Sequence, residues 1–169
     1  MGKTESSGSK IRREAAANYR PVEVRLLLVA EAPPLDPARY FYFEKVATQD
    51  SLFHYVCKGL YEVVPGRADK SQWLERLKHD GVFLIDLNPE PVSPGWTGHK
   101  ALVQELVKRG QEFQPEKVIL IKTAVFDAAF EPLREAGCPV SGIRIPFPGS
   151  GQQKRFEEAF AAALQEDVE

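Results

Sequence analysis

The chain alternates short apolar runs with longer segments in which apolar residues recur at helical spacing. Residues 24–30 form a nearly continuous apolar run, which is typical of a strand buried on both faces of a parallel sheet. Three further runs, at residues 82–87, 117–121 and 142–145, also have the length and composition of strands. The hydrophobic pattern therefore predicts four strands, each followed by a polar or proline-containing segment.

Helical patterns separate these runs, near residues 51–62, 70–79, 98–108, 124–136 and 153–165. Strands that alternate with helices pair in parallel through right-handed crossovers. We therefore expect one α/β domain over residues 20–169, with a doubly wound, four-stranded parallel sheet and helices on both faces. The strand at 82–87 is expected at an edge of the sheet, beside 24–30. Residues 1–19 are expected to be a flexible N-terminal leader, in which 11–18 can form a short helix.

Composition narrows the class of protein. Hydrophobic residues make up 43% of the 169 residues and charged residues 27%, a balance typical of one globular domain. No apolar stretch approaches the roughly 20 residues of a membrane span, and no signal peptide is evident. Two cysteines, Cys57 and Cys138, cannot form a four-thiolate metal site. We expect a protein of the cytoplasm, or of the nucleus in a eukaryote, that needs no metal, iron–sulfur cluster or other cofactor.

Candidate chemistry lies where the strands end, because ligands of open α/β sheets bind beyond the carboxyl ends of the strands. Four segments fall there, at residues 31–34, 86–89, 122–123 and 146–151. Glu31 follows the first strand in a turn made rigid by two prolines. A partly desolvated carboxylate there suits a general base or the stabilisation of a cation. Alternatively, Glu31 caps a backbone amide or pairs with an arginine.

The ends of the second and fourth strands offer two further candidate groups. Asp86 and Asn88 stand two residues apart, so they face the same side, where together they could recognise the edge of a base. They could equally be turn residues before a proline. The glycine-rich segment that opens the last helix could bind an anion at the helix N-terminus, or could be an ordinary cap with Ser150. Its candidate residues are Gly149, Ser150, Gly151, Lys154 and Arg155.

Four consecutive aromatic residues, Tyr40 to Phe43, occupy the loop after the first strand. We expect that they cannot all enter one core, so that some stand on the surface, where rings can stack on bases. They could instead pack against the next helix or a partner subunit. The histidines His54, His79 and His99 have no metal-ligand spacing and are expected to be surface or hydrogen-bonded residues.

Two motifs resemble those of the uracil-DNA glycosylase superfamily. Ala30-Glu31-Ala32-Pro33-Pro34 is similar to the Gly-Glu-Ala-Pro-Gly motif of the thermophile-type enzymes. Phe147-Pro148-Gly149-Ser150-Gly151 occupies the place of the last loop, which reads His-Pro-Ser, or Asn-Pro-Ser-Gly in the mismatch-specific branch. The order of elements agrees from residue 24 to residue 160.

The resemblance implies a monomer that acts on DNA with one base flipped out of the helix. The base would stack on Phe41 or Phe43, and Asp86, with Asn88 nearby, would stand in the place of the asparagine that pairs with uracil. Glu31 would position water or stabilise the oxocarbenium-like sugar. The resemblance also implies that the base or a flanking phosphate is contacted by Ala32, Pro33, Phe147, Gly149, Ser150 and Gly151. Lys154 and Arg155 would contact DNA.

This chain departs from the family pattern at three points. Phe147 replaces the histidine or asparagine that stabilises the departing base, and losing one such donor costs roughly 2.7–4 kcal/mol. Asp86 in place of asparagine reverses the donor capacity expected at the uracil edge. The four cysteines that hold the iron–sulfur cluster of the thermophile-type enzymes are absent. We therefore expect weak or altered N-glycosidic hydrolysis; the alternatives are a non-catalytic nucleotide-binding module on the same fold, or a small-anion-binding α/β enzyme.

Overall fold

A computed structural model describes residues 5–168, which contain six α-helices, three β-strands and two single 3₁₀ turns. None of these helices is long and apolar enough to cross a membrane. In chain order the elements are α1 (Ser7–Asn18), β1 (Leu26–Ala30), α2 (Ser51–Tyr61), α3 (Lys70–His79), β2 (Val82–Asp86), α4 (Val103–Phe113), β3 (Lys117–Leu120), α5 (Thr123–Glu135) and α6 (Gln153–Gln165).

The three strands form one parallel sheet in the order β2-β1-β3. Leu28 of β1 lies opposite Leu84 on one side and Ile119 on the other, so β1 is the central strand. Its near-continuous apolar run follows from this position, since Leu27, Leu28 and Val29 are fully buried. The predicted parallel pairing, with the second strand at an edge beside the first, is confirmed.

The predicted fourth strand at residues 142–145 is not a strand. Two isolated parallel bridges, Val118 to Val140 and Ile121 to Ile145, connect this segment to β3. The bridges lie three positions apart in β3 but five apart in the segment, so the segment bulges between them. Within the bulge, the Glu166 carboxylate accepts the Gly142 N–H (3.2 Å) and the Ser141 Oγ accepts the Ile143 N–H (3.2 Å). Side chains thus take hydrogen bonds that a continuous ladder would use.

The helices contact one another in two pairs: α2 packs on α6, and α4 packs on α5. The α2–α6 contact depends on a small residue. A Cβ atom at Gly59 of α2 would overlap the ring of Phe160 of α6, which is fully buried. Gly59 therefore permits the two helices to approach closely.

The N-terminal segment docks on the domain through one buried arginine. Arg12 of α1 donates a hydrogen bond to the Pro89 carbonyl (3.1 Å), and Ser6, the residue before α1, donates to the Glu90 carboxylate (2.9 Å). The Tyr19 ring stacks on that of Tyr42. Most of the expected leader is thus a docked helix, while residues 1–4 lie outside the described residues.

The aromatic loop covers the free edge of β2. Tyr40, Phe41 and Tyr42 are buried and Phe43 is partly buried, so the expectation that some of these rings stand exposed is wrong. Backbone N–H groups alternate in direction along a strand. The Leu87 N–H donates to β1, so the Leu84 N–H points away from β1, and it donates to the Tyr42 hydroxyl (2.6 Å). The rings are buried because the loop packs against this edge of the sheet.

We expect Tyr42→Phe to lower the free energy of unfolding by about 1–3 kcal/mol, because it leaves the buried Leu84 N–H without an acceptor. Urea unfolding measures this change. Tyr40→Phe is the matched control, since the Tyr40 hydroxyl makes no hydrogen bond within residues 5–168. Equal losses in the two variants would contradict the assigned role of the Tyr42 hydroxyl.

Candidate functional site

A cavity of about 230 Å³ opens at the carboxyl ends of β1 and β2. Six of the residues predicted from the sequence line it: Glu31, Ala32, Pro33, Phe41, Asp86 and Phe147. The rest of its lining is Ala30, Pro34, Arg39, Tyr40, Asp50, Ser51, Leu52, Leu84 and Lys122. The strand-end segments thus meet in one place, as parallel strands require.

Glu31 is held by two cationic or polar partners from distant parts of the chain. Lys122 Nζ lies 2.6 Å from Glu31 Oε1, and His99 Nε2 lies 2.7 Å from Oε2. Burial raises the pKa of the carboxyl, whose side chain is 16% exposed, but the hydrogen bonds from Lys122 and His99 bring that pKa below its ordinary value. Glu31 is therefore an ionised carboxylate at neutral pH, with a fixed orientation.

Lys122 has an unusual backbone conformation for a residue with a side chain. Its φ of 83° and ψ of 131° lie in a region that favours glycine. Its N–H donates to the Ile145 carbonyl (3.0 Å), and its own carbonyl accepts the Val125 and Phe126 N–H groups at the start of α5. The flanking β3 and α5 thus impose a strained conformation, and such strain concentrates at functional sites.

Asp86 is a buried carboxyl group at the end of β2. The carboxylate has no hydrogen-bond partner in the described part of the chain, although the Asp86 backbone carbonyl accepts from Arg109 Nη2 (2.9 Å). Burial, assisted by the charge of Asp50, raises the pKa of Asp86 to about 7, and Arg109 and Arg12 offset only part of the increase. A protonated carboxyl group has one O–H donor and a carbonyl acceptor, the same pair as a carboxamide. The donor capacity expected to be lost at Asp86 is therefore retained while the group is protonated.

Asp50 forms another part of the wall and caps α2. Its Oδ1 accepts the Phe53 N–H (3.0 Å). Nearby, the buried Lys70 Nζ donates to the Tyr40 carbonyl (2.9 Å) and holds the aromatic loop in place. Burial lowers the pKa of Lys70 to about 8, although the charge of Asp50 opposes this change. The cavity wall thus has a rigid frame of buried polar groups.

Seven of the predicted residues do not line this cavity. Two of them, Asn88 and Phe43, have structural roles. The Asn88 side chain accepts the Glu90 N–H (3.0 Å), which makes it a turn residue before Pro89. Phe43 packs edge-on against Tyr40, at 5.2 Å between ring centroids, and does not line the cavity. Of the two candidate stacking residues, only Phe41 lines it.

A larger groove of about 880 Å³ adjoins the cavity and shares Lys122 and Phe147 with it. Phe147, which is 43% exposed, lines both spaces. The groove is also lined by Gly149, Ser150 and Arg155 of the predicted set, and by Thr123, Arg144, Pro146, Gln152, Glu158 and Ala159. Gly151 and Lys154 do not line it. Gln152, not Ser150, is the N-cap residue of α6, and no side chain makes a capping hydrogen bond there.

Sequence reasoning missed His99, Asp50 and Arg39 as site residues, and it placed the segment 122–123 at the strand ends without giving Lys122 a role. Lys122 had a usable signal, because it follows β3 directly at the sheet edge where ligands bind. His99 had none, since it is 68 residues from Glu31 in the chain and only folding brings the two together. Arg39 lines the cavity with a buried Nε that has no hydrogen-bond partner within the described residues.

Comparisons with protein-family models, curated proteins and solved structures found no match to this chain. Within residues 5–168, no group of three or more histidine, cysteine, aspartate or glutamate side chains could hold a metal ion. The function therefore has to be inferred from the cavity itself.

We expect Lys122→Gly to unfold at a higher urea concentration than Lys122→Ala. Both variants lose the ion pair with Glu31, but only glycine relieves the strain at positive φ, which is worth about 1–3 kcal/mol. Glycine also gives the unfolded chain more conformational freedom, which costs about 0.4–1 kcal/mol of stability, so the difference between the two free energies of unfolding is the strain less this amount. A Lys122→Gly variant that is less stable than Lys122→Ala by this amount would show that the backbone at Lys122 is relaxed.

The raised pKa of Asp86 predicts how stability depends on pH. Because the folded state binds this proton more tightly than the unfolded state, the contribution is complete below the ordinary pKa of 3.8 and is lost as pH rises to about 7. Each unit of pKa difference corresponds to about 1.4 kcal/mol. In urea unfolding, the wild type should lose stability between pH 5 and 7.5 relative to Asp86→Asn.

Asp127→Asn is the control for this experiment. A hydrogen bond from Arg144 lowers the pKa of Asp127, so this exposed carboxylate stays ionised over the same pH range. Its variant should therefore show the pH dependence of the wild type. A wild type and an Asp86→Asn variant with parallel pH profiles would show that Asp86 is ionised throughout.

Proposed function

We propose that this protein binds a base flipped out of DNA and hydrolyses its N-glycosidic bond, as a divergent relative of the uracil-DNA glycosylase superfamily. The parallel sheet order β2-β1-β3 agrees with this proposal, and so does the packing of helices in two pairs, α2 with α6 and α4 with α5. Right-handed crossovers in this order would put the two pairs on opposite faces of the sheet, the arrangement expected of a doubly wound fold.

The observation that carries the proposal is the presence of two carboxyl groups of opposite character in one cavity. The lowered pKa of Glu31 keeps it ionised, whereas the pKa of Asp86 is raised to about 7. Titratable groups whose environments move their pKa values apart are typical of acid–base and recognition roles in active sites. The cavity volume of about 230 Å³ lies below the 300–1,000 Å³ of sites for drug-sized ligands, which suits a single base.

Asp86 is suited to recognise the edge of the base. In its protonated form it can donate to a ring carbonyl and accept from the adjacent ring N–H, the pair that uracil presents. Phe41, packed edge-on against Phe53 at 5.3 Å between centroids, provides a fixed apolar wall for stacking. Together these groups supply the donor, the acceptor and the stacking surface that a base with an imide edge requires.

Glu31 is suited to the hydrolytic step. An ionised carboxylate can orient the attacking water and stabilise positive charge that develops on the sugar as the base departs. Lys122 and His99 each occupy one Glu31 oxygen and restrict rotation of the carboxylate. Such preorganisation reduces the reorganisation needed during the reaction.

The departing base acquires negative charge, and Phe147 has no donor to stabilise it. Lys122 and Arg39 line the same cavity and supply positive charge, although neither replaces a donor from the last loop. We therefore propose that excision is slow and favours bases that are good leaving groups or easily flipped from mispairs. The adjoining groove, with Lys122, Arg144 and Arg155, is suited to the DNA backbone beside the flipped base.

A non-catalytic nucleotide-binding module is the second candidate, and the side chain of Phe147 favours it. An apolar ring in place of a donor keeps the stacking surface but weakens catalysis. A small-anion-binding enzyme would use the groove beside α6 instead. Salt dependence separates these candidates, because binding of DNA weakens steeply as salt increases whereas binding of a small anion changes less.

Excision assays test the proposal, with duplex and single-stranded DNA that contains uracil, hypoxanthine, xanthine or a mismatched base. We expect weak release of uracil, a rate at least tenfold lower in Glu31→Gln, and a higher rate in Phe147→His because the histidine restores a donor. Glu23→Gln, at an exposed position outside the cavity, is the control and should keep the wild-type rate.

Circular dichroism and urea unfolding establish that each variant is folded. Rapid uracil release by the wild type that Glu31→Gln leaves unchanged would refute the role of Glu31 and the penalty assigned to Phe147. If the protein releases none of these bases but binds DNA with an affinity that falls steeply as salt increases, the binding module is favoured.

A further inference from the structure

Lys122 places a primary amine where the cavity and the groove meet. Its side chain is 41% exposed, and it lines both spaces. On the proposed function, the base occupies the cavity and the backbone follows the groove, so the sugar that joins them lies beside Lys122. Lys122 is the only lysine in the described part of the chain that lines the cavity.

We propose that Lys122 Nζ attacks the C1′ aldehyde of an abasic deoxyribose, forms an imine, and cleaves the DNA strand by β-elimination. This inference rests on the proposed function for the position of the sugar. It adds a second activity, on the product of base removal, that the hydrolytic role of Glu31 does not require.

The groups at the site can donate and accept the protons that this reaction transfers. Glu31 accepts a proton from the Lys122 ammonium across the 2.6 Å contact, and the free amine adds to C1′. The resulting hydroxyl leaves C1′ as water and takes that proton, which gives an iminium ion and restores the carboxylate. Removal of a C2′ proton by the carboxylate then breaks the C3′–O bond and releases the phosphate, which takes that proton from Glu31 and restores the carboxylate. Water finally hydrolyses the iminium and regenerates the lysine.

The backbone of Lys122 supports a role for its side chain beyond packing. A glycine would adopt the φ of 83° without strain, yet a lysine occupies the position. The buried lysine near the cavity, Lys70, is used structurally, since it donates to the Tyr40 carbonyl. The strain at Lys122 therefore maintains an amine at one defined place, against a carboxylate.

Lys122 could instead serve only to orient Glu31, and Lys122→Arg distinguishes the two roles. Arginine retains the positive charge and the ion pair, but its guanidinium does not form an imine under these conditions. An orienting role would survive this substitution, whereas imine formation would not.

The test uses the full-length protein and an oligonucleotide that already contains an abasic deoxyribose. Sodium borohydride reduces any imine to a stable amine, so that a covalent protein–DNA complex appears on a denaturing gel. We expect a trapped complex with the wild type, a loss of at least tenfold in Lys122→Arg, and no change in Lys108→Arg. Lys108 lies on the exposed surface of α4, where it pairs with Glu105. Peptide mass spectrometry should locate the modified residue at Lys122, and without borohydride the wild type should nick the oligonucleotide.

Trapping that is equal in Lys122→Arg and wild type, or a modification that maps to another amine, would overturn the inference. Because the substrate already lacks its base, the assay does not depend on base excision. Excision that depends on Glu31, without any trapped complex, would overturn imine formation and leave the proposed hydrolysis intact. Trapping at Lys122 without excision of any base would support imine formation and overturn the hydrolysis.

Discussion

The hydrogen-bonded cluster of Glu31, Lys122 and His99 connects the parts of the molecule that build the cavity. Glu31 follows the central strand β1, Lys122 follows β3, and His99 precedes α4 in the segment after β2. A partly buried carboxylate would be unfavourable without partners, so the two contacts hold three strand-end segments in one arrangement. Two further cavity residues lie next to this cluster: Phe147 lines the cavity and the groove together with Lys122, and Asp86 pairs with Ala30 at the end of β1.

The pKa values of the two carboxyl groups move in opposite directions because their partners differ. Both are desolvated, which raises the pKa of each. Glu31 receives hydrogen bonds that reverse this effect, whereas the Asp86 carboxylate receives none within residues 5–168 and faces the like charge of Asp50. The same fold thereby provides a carboxylate that stays ionised and a carboxyl group whose pKa is raised, both lining one small cavity, a combination that suits the proposed recognition and hydrolysis.

Hydrogen bonds from the surrounding elements restrict the segments that line this cavity. The aromatic loop is tied to the edge of β2 by the Tyr42 hydroxyl and to α3 by Lys70, and α1 is held against the turn after β2 by Arg12. At the free edge of β2, a side-chain hydrogen bond takes the place of pairing with a further strand. The hydrogen bonds of Tyr42 and Lys70 also hold in place the loop from which Arg39, Tyr40 and Phe41 line the cavity.

The sequence by itself determined the parallel α/β architecture, the place of β2 at an edge and the meeting of Glu31, Asp86, Phe41 and Phe147, because apolar runs and strand-end loops are local patterns. Tertiary structure decided what no local pattern contains. The apolar run at 142–145 is not a strand because Glu166 and Ser141 take its hydrogen bonds, and the aromatic loop is buried because a free strand edge needs a cover. Asn88 is a turn residue, whereas His99 and Lys122 meet Glu31, since contacts across 68 and 91 residues depend on packing that only the folded chain establishes.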